Sequence, residues 1–358
     1  MLRPVHLDPA LIGQPLPHDL FSESGVLIAS AGMLLADETQ FNKLTTRPLY
    51  QATEVNQEAF QTLDRLRELG TYTAARLAGP QASLSGEDLH LLGCAFLALF
   101  HTDPNACLGY PRLAPVAPPY LNHNLHVLFV SAFLASFLEF SEAQTESLAA
   151  AALTMNIADI DLYDRLHNGY ATNEDWLIRR ALPANSASLL AEIGVTDQDW
   201  LDSVRQLHEN LDGSGYPTQC SGAEISLPAR ILHVAEVYCS KVGGRYYRPP
   251  KSPGVAFKDL FGDERAHIDT QIATLLIRRI GLYPPGTLVR LANREIACIT
   301  RLGRYGHIRF AVSFMDARGR PLEPPRERNL ETRAYAIHSL IDADPAWPPI
   351  NWPLLWGY

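Results

Sequence analysis

The stretch HENLDGSGYP, residues 208–217, decides how this chain reads. A helix is expected to end near Asn210, and Asp212-Gly213 opens a turn. Gly215 permits backbone torsions that other residues avoid, and Pro217 stiffens the exit. Alone, the segment is an ordinary glycine-rich loop. Downstream, LPARILHVAEVYCSKV spaces its apolar residues as a helix over 227–242. GGRYYRPPK follows at once and places Arg245, Arg248 and Lys251 close together. Read from the residues alone, that corner is a solvated surface with tyrosine packing.

Working toward the N-terminus, LHVLFVSAFLASFL and ESLAAAALTMNI are apolar all round, as expected of helices at the centre of a bundle. Helical spacing continues over 173–193 and 197–210, and again over 267–280. Residues 103–119 are rich in proline and read as an irregular connector. Before them, residues 51–102 form a helical connector, with Phe60, Leu63, Leu66 and Leu69 on one face. Residues 1–50 make a small β-rich unit whose segment HDLFSESGVLIASAGMLL has a hairpin rhythm around Ser24-Gly25. Beyond Gly286, TLVRLANREIACITRLG and HIRFAVSFMDARG alternate as strands do. Residues 286–358 are therefore a second β-rich unit, ending in the tryptophan- and proline-rich tail DPAWPPINWPLLWGY. The fold class expected is mainly α, a helical bundle between two small β-rich units.

Four blocks together resemble one known family. HENLDGSGYP resembles the HHExxDGxGYP signature of the HD-GYP phosphodiesterases, and ARILHVAEVYCSKVGGRYYRP is similar to that family's ARILxVADxYDAL helix with its basic continuation. HNLHV (123–127) resembles the first histidine helix, and AALTMNIADIDL (151–162) resembles AALLHDIGKLxI. ATNEDWLIRRALPANSASLLAEIGV (171–195) is similar to the block between them. The blocks keep the family's order and spacing over residues 103–285, so the resemblance implies an HD-domain-like bundle there.

The resemblance also implies chemistry. Members hydrolyse cyclic di-GMP with two or three bridged iron or manganese ions, since a phosphodiester repels nucleophiles until metals neutralise its oxygens and generate hydroxide. Carried over position by position, the surviving metal ligands are His123, His208 and Glu236, the last standing for an aspartate. The other ligand positions are replaced: Pro119 for a glutamate, Met155 for the HD histidine, Asn156 for the HD aspartate, Leu182 and Leu207 for histidines. Asp159 stands where a lysine is expected. An amide oxygen is a poor bridge between cations, a thioether is too soft for such a site, and leucine offers no donor. Arg245 and Arg248, with Gly215 and Tyr216, are the nucleotide-binding residues that the resemblance implies. Gly215, Tyr216 and Pro217 form a loop that the family links to diguanylate-cyclase-type and other signalling partners. Each surviving ligand also has a structural reading: His123 as a helix cap, His208 as a hydrogen-bond partner of the loop, Glu236 paired with an arginine.

The expectation is therefore a regulator in bacterial cyclic di-GMP signalling that senses the nucleotide or contacts proteins, and not an enzyme: a pseudoenzyme of the phosphodiesterase type. The alternatives are a metal-dependent phosphodiesterase with a reduced metal site, and an interaction scaffold with a closed pocket. No cofactor is expected, or iron or manganese where the remnant site holds an ion. Composition agrees with a globular protein, at 47% hydrophobic and 19% charged residues over 358. With 30 basic and 39 acidic residues the net charge is −9, which gives no general attraction for nucleic acid or an anionic membrane. Five cysteines without a CxxC pair point to a reducing cytoplasm. The apolar tail is compatible with a homodimer.

Overall fold

The computed structural model describes residues 2–22, 27–46, 48–52, 57–78, 84–113, 118–169, 172–243, 250–303, 307–344 and 346–357. Its helices are α1 (Glu38–Thr45), α2 (Gln57–Ala78), α3 (Gly86–Thr102), α4 (Pro104–Leu113), α5 (Pro119–Ala135), α6 (Glu142–Thr154), α7 (Ile160–Asn168), α8 (Asn173–Glu192), α9 (Gln198–Arg205), α10 (Leu227–Gly243), α11 (Pro253–Phe261), α12 (Thr270–Ile280) and α13 (Trp352–Trp356). The strands are β1 (Leu2–Val5), β2 (Leu20–Phe21), β3 (Leu27–Ala29), β4 (Leu49–Ala52), β5 (Thr287–Leu291), β6 (Ile296–Ile299), β7 (Phe310–Met315), β8 (Pro321–Asn329) and β9 (Ile337–Leu340). The chain is mainly helical, as its periodicities imply. It divides into a β-rich unit, residues 1–60, 287–301 and 308–358, and a helical unit, residues 61–286 and 302–307.

The helical unit is organised around α5. Its sequence has no polar face, so burial on every side is the only favourable placement. From Tyr120 to Ala135 all but Asn122 are buried, and α4, α6 and α10 pack against it. Polar side chains mark where other helices of the unit begin. Ser85, Ser141 and Thr172 each close a capping box at the start of α3, α6 and α8. Residues 104–113, expected as part of an irregular connector, are instead the helix α4. Pro104 opens that helix, where a missing N–H costs nothing, and Pro111 lies in its last turn. No single helix among the described residues is long and apolar enough to cross a membrane.

The β-rich unit differs from the expected pair of separate terminal units. Among the described residues, nine strands form one sheet in the order β3-β2-β4-β1-β8-β7-β6-β5-β9. Each half is antiparallel within itself, and the two join where Leu2 of β1 pairs in parallel with Arg326 of β8. A few short strands rarely bury enough surface alone, which favours joining two partial sheets edge to edge. Strand patterns mark both halves in the sequence; nothing local tells β1 that its neighbour lies at the other end of the chain. The tail packs on this unit: Trp347 and Trp352 set their rings edge-on to Phe314, and Trp356 is buried.

Candidate functional site

Three of the sequence-derived positions come together in the helical unit. His123 lies on α5 and Glu236 on α10, the two helices that pack along the centre. His123 Nε2 stands 3.7 Å from Glu236 Oε1, an ion-pair distance rather than a hydrogen bond, and both residues are buried. The Tyr163 ring of α7 stacks on His123 at 5.2 Å between centroids. His208 follows α9, with the Tyr216 ring 5.1 Å away and the His233 ring 6.5 Å away and perpendicular.

The charges in this cluster are set by burial first. Loss of water pushes the His208 imidazole down to about 3, and the nearby Arg179 guanidinium adds to the effect. His208 is therefore neutral at ordinary pH, with a lone pair to offer. Burial alone would raise the Glu236 carboxyl, but the adjoining His123, then His208 and Arg179, hold it below its usual range. It stays a carboxylate inside the protein. His233 is depressed mainly by burial, and Tyr216 is raised mainly by burial. The site is thus a buried carboxylate beside His123, with the His208 and His233 imidazoles pushed toward the neutral form by burial and the Arg179 guanidinium near it.

The replaced ligand positions have been absorbed into structure. Met155, Leu182 and Leu207 are buried apolar side chains. Asn156 donates to Asn124 Oδ1 at 3.3 Å, and Asn124 in turn donates to the Leu153 carbonyl at 2.9 Å. This chain of amides ties the end of α6 to α5. Asp159 caps α7 by accepting from the Leu162 N–H at 2.8 Å, and it faces Arg165 at 3.5 Å. Pro119 is the first residue of α5. A bridged cluster of two or three ions does not fit these residues, because apolar groups occupy its donor positions.

A single ion is closer to what the residues allow. Two imidazoles and a carboxylate are a suitable donor set. Yet the one group of three His, Cys, Asp or Glu donors within 4.8 Å of one another among the described residues is His90, Cys94 and Glu146, on α3 and α6. His123 and Glu236 meet, while His208 stands outside a common coordination sphere, so the expected three-ligand site is reduced to a touching pair with a third donor beside it.

The GYP loop also differs from the exposed docking element that the sequence suggests. Gly215 is buried, and a Cβ there would lie 2.2 Å from the Asn210 nitrogen and 2.6 Å from the His208 carbonyl oxygen. The loop folds back onto the residues that precede it, and the Tyr216 N–H donates to that same His208 oxygen at 3.1 Å. Gly215 itself is buried, while Tyr216 and Pro217 are half-buried and Asp212 and Ser214 are exposed. Glu209, not singled out in the sequence, anchors the loop: its Oε1 accepts from the Thr218 N–H at 2.6 Å and the Thr218 hydroxyl at 2.7 Å. Its place inside HENLDGSGYP was the available signal. Arg179 and Arg180 were missed as well, although the doublet is visible; Arg180 lies over the Tyr216 ring at 5.9 Å. Arg245 and Arg248 lie outside the described residues. Lys251, third member of that basic corner, is paired with Asp259, and its N–H donates to the Lys241 carbonyl at 3.0 Å.

Comparison with known proteins places this geometry. Residues 110–272 match the model of the HD domain. A cyclic di-GMP phosphodiesterase of Pseudomonas aeruginosa is 28% identical over 198 residues, covering 55% of this chain and 48% of that protein. The cyclic di-GMP phosphodiesterase PdeB of Borreliella burgdorferi is 22% identical over 195 residues, covering 54% and 51%. The chain thus spans about half the length of these curated relatives. An HDG"Y"P protein of Bdellovibrio bacteriovorus shares the fold at a TM-score of 0.51 and 15% identity, covering 77% of this chain and 98% of that one. These relatives correct one expectation. The chain was expected not to be an enzyme, on the strength of its replaced ligands; its relatives are named as phosphodiesterases, which points to a hydrolase.

Proposed function

From the HD domain over residues 110–272 as premise, we propose that this chain works in cyclic di-GMP signalling as a hydrolase-type protein acting on a cyclic dinucleotide phosphodiester with a reduced metal site. The observation that carries the reading is the buried Glu236 carboxylate held against His123, at positions the family uses for metal. Burying a carboxylate is costly unless a cation or a partner compensates it. His123 and Glu236 would hold one iron or manganese ion, with His208 beside them and outside their common coordination sphere. Such an ion, when bound, neutralises a phosphate oxygen and lowers the pKa of a water. The chain's own residues do the rest. Tyr216 and Tyr163 wall the site with rings. Arg179 supplies positive charge beside it, and in this reading Arg245 and Arg248 clamp the phosphates. The free cysteines suit a reducing compartment such as the cytoplasm.

The test is to equilibrate the full chain with iron or manganese, measure bound metal, and follow cyclic di-GMP by chromatography. The expected result is up to one ion per chain and slow turnover. Both should be lost in Glu236→Gln, and in a His123→Ala/His208→Ala double variant that still unfolds cooperatively. No turnover and no binding of the nucleotide by the metal-loaded chain would overturn the reading.

A further inference from the structure

Away from these residues, a second set of donors meets on the facing sides of α3 and α6. His90 and Cys94 are four residues apart on α3, so they share one face of that helix. Glu146 comes from the first half of α6. Gly93 explains why the helices are close enough. A Cβ there would lie 3.1 Å from both the Cα and the nitrogen of Ala150, one turn after Glu146. With no side chain at Gly93, the α6 backbone comes in against α3 and carries Glu146 toward the pair.

The spacing of the donors fits a small cation. His90 Nε2 is 3.7 Å from Cys94 Sγ and 3.8 Å from Glu146 Oε2, and all three donor atoms lie within 4.8 Å of one another. Ligand bonds of about 2.0–2.3 Å at tetrahedral angles put neighbouring donors about 3.4–3.6 Å apart. The two separations that involve His90 are therefore within a few tenths of an ångström of a coordination edge. All three side chains are half-buried, so an ion can reach them, and the Trp200 ring flanks His90 at 6.4 Å.

We propose that His90, Cys94 and Glu146 bind one divalent cation of the zinc class, clamping α3 to α6. A thiolate and an imidazole select this class over magnesium, calcium or manganese. Three protein donors leave one position for water or an incoming ligand, the pattern of an open site rather than a closed structural one. On binding, the Cys94 thiol gives up its proton to solvent and the sulfur forms the bond to the metal. Without the ion that thiol is held at about 11, by burial first and then by the Glu146 charge, so it stays protonated. Binding therefore releases a proton, and affinity rises with pH.

Cobalt reports the site directly. The reduced, metal-free full chain is titrated with Co²⁺ under argon while thiolate-to-cobalt charge-transfer absorption is read. The expected result is one equivalent bound with that band, and its displacement by one equivalent of Zn²⁺. Cys94→Ser abolishes the band. His90→Ala and Glu146→Gln each weaken Zn²⁺ binding by about tenfold or more. His123→Ala/His208→Ala leaves the band unchanged, which separates this site from the one proposed above. Zn²⁺ also raises the thermal midpoint of the wild-type chain but not that of Cys94→Ser. Absence of the band in the wild type, its persistence in Cys94→Ser, or unchanged Zn²⁺ affinity in His90→Ala would each overturn the proposal.

Discussion

Gly215 shows how a single residue sets the site. The loop can press against the residues before it only because position 215 has no side chain, and that close approach sets the Tyr216 ring beside His208. Gly215→Ala is expected to cost about 1–3 kcal/mol, since a Cβ would drive into backbone that has nowhere to move. The urea midpoint measures it, with Gly243→Ala as control, because a Cβ there meets nothing within 4 Å. A midpoint for Gly215→Ala equal to wild type would mean that the loop packs otherwise. The same scale explains what reading the chain missed. Arg179 and Glu209 were plain letters in recognisable blocks, but their relation to His208 and to the loop depends on which face of a helix turns inward.

At the scale of elements, α10 carries more than its one site residue. Its last turn is held by a charge network: the Lys241 ammonium sits 2.9 Å from Glu264 and 3.8 Å from Asp259, and Lys251 also reaches Asp259. Lys241 is 8% exposed, so its charge depends on these partners rather than on water. The network anchors both flanks of residues 244–249, where Arg245 and Arg248 fall. Lys241→Met is expected to lower stability by about 1–3 kcal/mol, because Glu264 would lose its ammonium partner and Asp259 would keep only Lys251. A Lys241→Met/Glu264→Gln double variant should recover part of the loss in the same urea experiment. No recovery would show that the lysine acts by packing alone. The longer helices of the bundle were legible in the chain. The short ones α1, α7, α11 and α13 were not, since one or two turns show little periodicity, and α4 was missed because proline counts against a helix unless its position within the first or last turn is known.

For the whole molecule, the buried histidines set the response to acid. His126 on α5 is pushed down to about 3, first by burial and then by the charges of Arg112 and His123. Its folded pKa lies below the unfolded value of about 6.5, so the unfolded chain binds the extra proton. The stabilisation is complete above about pH 6.5 and fades as pH falls toward 3. Going from about pH 7.5 to about pH 5 should cost about 2 kcal/mol from this residue alone, read as a falling urea midpoint. His126→Leu should flatten that dependence, and a pH profile unchanged from wild type would count against a buried neutral imidazole. The amino-acid sequence by itself determined the helical bundle, its apolar central helix, the strand-rich ends and which donors stand at the ligand positions that the resemblance implies. These are properties of local periodicity and of which residue types are present. Tertiary structure alone decided that the two ends of the chain share one sheet, that the GYP loop turns inward, that His123 meets Glu236 while His208 stands apart, and that His90, Cys94 and Glu146 converge. Each of those depends on how closely two distant backbones approach, and that distance is set by packing across the fold rather than by neighbours along the chain.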